Sequence, residues 1–187
     1  MNIQPYNLFL ESKSNDKKNI DYYFLEDNLS STDVYEVKQT IIKNDYRSIA
    51  TFSKNISYFD NFDCIKTALV NYPPIRYNHR SLVSSIKEAL QSNINEIEFI
   101  FIDKYLSWSK ESWRNIVLMC SEKGVIMRAM IDFTSHNNSE IKKILDFLKD
   151  IGIFSIVTST GLVPDFLDLN KLKDIIKIIP NIFEIKV

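Results

Sequence analysis

The sequence predicts an α/β protein built on a parallel sheet. Short strand-like apolar runs alternate with amphipathic helical stretches from about residue 20 to the end. The helical stretches run about ten to fourteen residues, long enough to cross back over a sheet. Alternation of this kind implies parallel strands joined by crossover helices.

The elements follow in order. Glu11–Asn19 (ESKSNDKKN) is polar and reads as a loop, so residues 1–19 form an N-terminal extension to a domain spanning 20–187. Ile20–Leu25 (IDYYFL) is the first short apolar run. Thr32–Lys43 has helical spacing, with Val34, Val37 and Ile41 on one face and Thr32 as the expected N-cap. Ser48–Phe52 and Ile65–Tyr72 are strand-like, the second stopped by Pro73-Pro74. Ser81–Leu90 is an amphipathic helix and Glu96–Ile102 (EIEFIFI) a strong strand. Ser109–Glu122 is a helix with Gly124 as its expected C-cap, followed by a strand over Val125–Phe133. Ser139–Asp150 is a helix stopped at Gly152, and Ile153–Val157 is a strand. Asp168–Ile178 is a helix and Ile182–Val187 the seventh strand. Two architectures fit: a doubly wound open sheet, or a (β/α)8 barrel that stops one strand short.

Composition sets bounds. The 187 residues suit one domain with a sizeable core. A formal net charge of −1 argues against a broad nucleic-acid-binding surface. No apolar run approaches the roughly 20 residues of a membrane helix, and the N-terminus does not read as a secretory signal. Two cysteines, Cys64 and Cys120, make no disulfide framework, so we expect a cytoplasmic protein with packed, reduced thiols. Only 3 glycines occur, and neither nucleotide-binding glycine fingerprint is present. His79 and His136 have no accompanying Cys/Asp cluster and are expected at the surface rather than on a metal. Trp108 and Trp113 flank a helix start and are expected to pack against the sheet or a partner.

Several motifs in register resemble the deoxyribose-phosphate aldolases. The most specific is EIKKILDFLKDIGIFSIVTSTG, a helix, a glycine and a strand ending in Thr158-Ser159-Thr160-Gly161. NIDYYFL places Asp21 on the family's first-strand aspartate, and NEIEFIF places Glu98 on its strand-four aspartate. IMRAMID places Arg128 on the strand-five lysine and Asp132 on the acid that follows. IFEIKV places Lys186 on the strand-seven lysine. The resemblance implies the barrel, incomplete here, with about seven strands and with strand eight and the last helix missing.

The departures fall on the chemistry. A class I aldolase needs a partly neutral lysine nucleophile, a second cation that lowers its pKa, and a carboxylate to shuttle protons. The resemblance puts the nucleophile at residue 157, which is valine and can form no Schiff base. Glu98 keeps the shuttle carboxylate with one more methylene, and Arg128 keeps charge without easy proton transfer. The family's Gly-Phe-Pro-x-Gly turn after strand three reads Asn71-Tyr72-Pro73-Pro74-Ile75.

The expectation is a degenerate, catalytically inactive relative with a binding or subunit-interaction role. One alternative is an active lyase on 2-deoxyribose 5-phosphate or a related sugar phosphate, with Lys186 as nucleophile, Glu98 as shuttle and Arg128 beside them. The other is a structural partner of an active aldolase. Asp21 and Thr158–Gly161 are the candidate ligand-binding residues, for a sugar phosphate or small anion. No cofactor and no metal are expected. An open sheet would leave its first and seventh strands as unpaired edges, which we expect to be covered by a homo-oligomer, a partner subunit or the N-terminal NLFLE (Asn7–Glu11).

Overall fold

The computed structural model describes residues 20–73, 78–162 and 169–186. Seven strands form one parallel sheet in the order of the chain: β1 (Asp21–Phe24), β2 (Ser48–Phe52), β3 (Ile65–Leu69), β4 (Glu96–Ile100), β5 (Ile126–Met130), β6 (Ser155–Val157) and β7 (Glu184–Lys186). A doubly wound sheet reverses its strand order at a switch point. This order never reverses, so the sheet is a barrel wall, open by one strand between β1 and β7. The NLFLE run lies outside the described residues.

Among the described residues five α-helices cross between the strands: α1 (Ser31–Asn44), α2 (His79–Ala89), α3 (Lys110–Ser121), α4 (Asn138–Ile151) and α5 (Leu169–Ile178). Their ends follow local chemistry. The N-cap of α1 is Ser30, not Thr32, because Ser30 and Asp33 form a reciprocal capping box that Thr32 cannot make. Asn137 and Glu140 cap α4 in the same way, and Gly152 ends it in the left-handed region at φ 90°. On α3 the C-cap is Glu122; Gly124 turns left-handed only two residues later. The strands are shorter than their apolar runs, since β3 stops at Leu69, ahead of a left-handed Asn71.

The pleat sorts side chains into two environments. Residues facing the helices, such as Ile97, Phe99, Ala129, Ile131 and Ile156, join the main apolar core. Trp108 and Trp113 stack at 5.4 Å beside Tyr105 within that layer. Cys120 is buried there too, and burial pushes its thiol up to about 12. A second cluster, with Val37, Ile41, Ile49 and Phe59, packs α1 against β2. No helix among the described residues is long and apolar enough to cross a membrane.

Phe99 is fully buried against Tyr105 and Trp113. Phe99→Ala should lower unfolding stability by about 3–5 kcal/mol in urea denaturation; a loss below about 1 kcal/mol would contradict this packing.

Candidate functional site

The inward faces of the strands carry a ladder of charges. At the lower level, Glu96 on β4 accepts from two guanidinium groups, Arg47 at 2.8 Å and Arg128 at 3.0 Å. Arg47 also binds Asp21 on β1 through two bonds of 2.7 and 2.9 Å. Ser48 donates to Asp21, and Thr67 donates to Glu96 at 3.0 Å. Arg128 donates to Ser155 on β6 and to Glu184 on β7 at 3.2 Å. Expecting Arg128 to face Glu98 was half right. The two are partners in strand register, but the long guanidinium stem carries the charge down to Glu96 and Glu184.

One level up, Lys186 on β7 reaches Asp21 at 2.6 Å and also donates to Glu98. Tyr23 donates to the other oxygen of Glu98 at 2.8 Å, and its ring lies 5.0 Å below the Lys186 ammonium. Glu98 is fully buried and Lys186 is 13% exposed. Burial would raise the Asp21 carboxyl, but hydrogen bonds from Arg47 and the charge of Lys186 bring it down to about 2. Burial opposes Glu96 as well, and its two arginines outweigh it, again to about 2. Burial and then the Glu98 charge push the Tyr23 phenol well above its usual value.

The top level, where barrel enzymes place their chemistry, is apolar. Val157 is buried with Ile100 and Met130, and Tyr72 packs against them. The Tyr72 hydroxyl donates to the Thr160 carbonyl at 3.0 Å. A Cβ on Gly161 would meet that hydroxyl oxygen at 3.3 Å, so the residue left open for backbone approach now accommodates a side chain of this chain. The end of the Thr158–Gly161 turn is bonded within itself. Gly161 N–H donates to Ser159 Oγ at 3.2 Å, and Leu162 N–H to Thr160 Oγ1 at 3.3 Å. Thr158 and Thr160 are buried.

Sequence reasoning set Glu98 to face Lys186 and Arg128 and gave Asp21 to ligand binding; the structure brings Asp21, Glu98 and Lys186 into contact. It missed Arg47, Ser48, Tyr23, Glu96 and Glu184. The alternation Glu96-x-Glu98, with two carboxylates on one face of a buried strand, was the available signal. Asp132 is tied to its own loop through Thr134 at 2.6 Å and through Ser135. His136 is not free at the surface. Its Nδ1 faces the Asp132 carbonyl at 2.7 Å and its Nε2 faces Asp103 at 3.0 Å. His79 is half-buried, edge-on to Trp108 at 5.1 Å. Among the described residues no group of three or more His, Cys, Asp or Glu side chains is placed to hold a metal. Two shallow clefts there, of 410 and 370 Å³, are not lined by Val157, Glu98 or Lys186, although Arg47 borders the second.

A parallel wall of this order defines the class as an incomplete α/β barrel. The particular fold is that of the deoxyribose-phosphate aldolases. The solved enzyme from Aeropyrum pernix, described as having a unique tetrameric structure, superposes with a TM-score of 0.78 at 13% identity, over 91% of this chain and 76% of that one. A second solved aldolase, QR15, gives 0.77 at 16% identity, over 91% of this chain and 80% of that one. A curated deoxyribose-phosphate aldolase from Thermosynechococcus vestitus is 26% identical over 98 residues, which is 50% of this chain and 44% of that relative's length. No protein-family profile matches the chain.

Two pH dependences follow. Asp21 and Glu96 have depressed values, so their stabilisation is present above their ordinary values of 3.8 and 4.5 and is lost as pH falls towards about 2. Each should contribute on the order of 2 kcal/mol, seen as acid-weakened urea midpoints that flatten in Glu96→Gln. His136 runs the other way. Burial would lower it, but its bonds to Asp132 and Asp103 prevail and raise it. Its contribution is full below about 6.5 and disappears as pH rises through the raised folded value. His136→Gln should remove that alkaline loss; an unchanged profile would contradict the assignment.

Proposed function

We propose that this chain is an aldolase-fold protein without Schiff-base chemistry, acting through contacts with other protein subunits. The observation carrying this reading is the apolar top level: Val157, Ile100 and Met130 under Tyr72 occupy the mouth where a lysine nucleophile and its substrate would have to meet. The Thr158–Gly161 turn favours an interaction role over sugar-phosphate binding, because the Gly161 and Leu162 N–H groups at its end already have side-chain acceptors within the turn. The tetrameric description of the Aeropyrum pernix enzyme supports association of this fold, here with copies of itself or with an active aldolase.

A second reading has one observation in its favour. Lys186 lies beside Glu98, so a lysine and a proton-shuttling carboxylate are in contact. Yet this ammonium donates to Asp21 as well, and an ion-paired ammonium has no lone pair with which to attack a carbonyl.

Incubation with 2-deoxyribose 5-phosphate and borohydride, followed by intact-mass analysis, separates the two readings. We expect no adduct beside an active aldolase that is trapped under the same conditions. An adduct mapping to Lys186 would overturn the proposal and make the chain a lyase with a displaced nucleophile. Val157→Lys should also stay unmodified, since Met130, Ile100 and Tyr72 still fill the mouth.

A further inference from the structure

One imidazole joins the two loops that leave β4 and β5 at the mouth. Asp103 opens a tight turn, Asp103–Ser107, shortly after β4 ends at Ile100. Asp132 follows the end of β5 at Met130, and His136 directly precedes Asn137, the N-cap of α4. His136 Nδ1 lies 2.7 Å from the Asp132 carbonyl oxygen, and Nε2 lies 3.0 Å from Asp103 Oδ1. The ring is 13% exposed, whereas the Asp103 side chain is 70% exposed.

A neutral ring cannot make both bonds. A carbonyl and an ionised carboxylate only accept, so each nitrogen must carry a proton, and a neutral imidazole has a single N–H. On losing a proton the ring must give up one of its two acceptors. The shorter, less exposed bond to the Asp132 carbonyl is the one kept, since the Asp103 carboxylate can turn to water. The bare Nε2 lone pair then faces that carboxylate and repels it. Three carboxylates act on the ring, one from each segment around it: Asp103 from the turn, Asp132 from the β5–α4 loop and Glu140 from the first turn of α4. The partial positive charge of the α4 N-terminus works against an imidazolium; the three acids stand against that.

We propose that protonated His136 is a latch holding the Asp103–Ser107 turn against the start of α4, and that deprotonation releases the turn. The released segment touches both layers of the structure. Ile102, next to Asp103, packs against the Val157 cluster at the mouth. Tyr105, within the turn, packs against Trp108 at 4.5 Å and Trp113 at 5.4 Å in the main core. A single proton on His136 therefore sets how firmly the β4 side of the mouth is held to the β5 side. The latch goes beyond the interaction role proposed above and does not depend on it.

Amide hydrogen exchange on the full chain tests this, measured between about pH 5.5 and about pH 8.5, either side of the histidine range, and corrected for the intrinsic pH dependence of exchange. The turn is read through the amides of Tyr105 and Trp108, which donate to the Ile102 and Tyr105 carbonyls. Their protection should fall roughly tenfold as pH rises, the loss of one charge-assisted hydrogen bond, while Phe99 in β4 stays protected. His136→Gln should show the low protection at every pH. His79→Gln should keep the transition, a needed control because His79, the other histidine, stands edge-on to Trp108. Asp103→Asn keeps an acceptor without the charge, so it should move the midpoint to lower pH; it serves as the test if His136→Gln fails to fold. Flat protection in the unaltered chain would overturn the latch. So would a transition that survives His136→Gln, one that is lost in His79→Gln, or an unmoved midpoint in Asp103→Asn.

Discussion

The Lys186 ammonium, shared between Asp21 and Glu98, is the contact on which the rest of the barrel depends. An open parallel sheet has no hydrogen-bonded ladder between its end strands to hold it curled. Here a side chain spans the gap: β7 is tied to β1 through Asp21 and to β4 through Glu98. The same lysine neutralises two carboxylates that would otherwise be stranded in a low-dielectric interior. Below it, Arg47 and Arg128 repeat the pattern around Glu96, linking β1 and β2 to β4, β5, β6 and β7. The interior is therefore a closed electrostatic circuit inside an open wall.

That circuit has a functional consequence. Class I aldol chemistry asks for a neutral amine at the mouth, with room for a sugar phosphate. This chain supplies an ion-paired lysine, Lys186, in strand register with Val157, and fills the mouth with Val157, Met130, Ile100 and Tyr72. Charge that serves catalysis in an enzyme can serve closure of the wall in a relative with the same fold. Shared fold carries no guarantee of shared chemistry.

Much of this was legible in the sequence, and the failures have physical causes. The seven strands and their helices could be read because apolar periodicity switches cleanly between two and 3.6 residues. The facing of Glu98 and Lys186 followed from motif register; that Asp21 shares the lysine did not. The partners of Arg128 did not, because a side chain that long can select a carboxylate one level away from its register partner. Arg47 was invisible because it precedes β2, where period-two reasoning does not apply. Tyr72 was noticed as a departure from a glycine turn; that it would cap the mouth depended on the segments after β3 and β6 meeting across the sheet, which no local pattern encodes.

A double-mutant cycle on Lys186→Met and Asp21→Asn, read by urea denaturation, tests the central claim most directly. If the pair closes the wall, each single substitution should cost about 3 kcal/mol or more, and the double should cost clearly less than their sum. Additive losses, or a Lys186→Met protein as stable as the original, would contradict it.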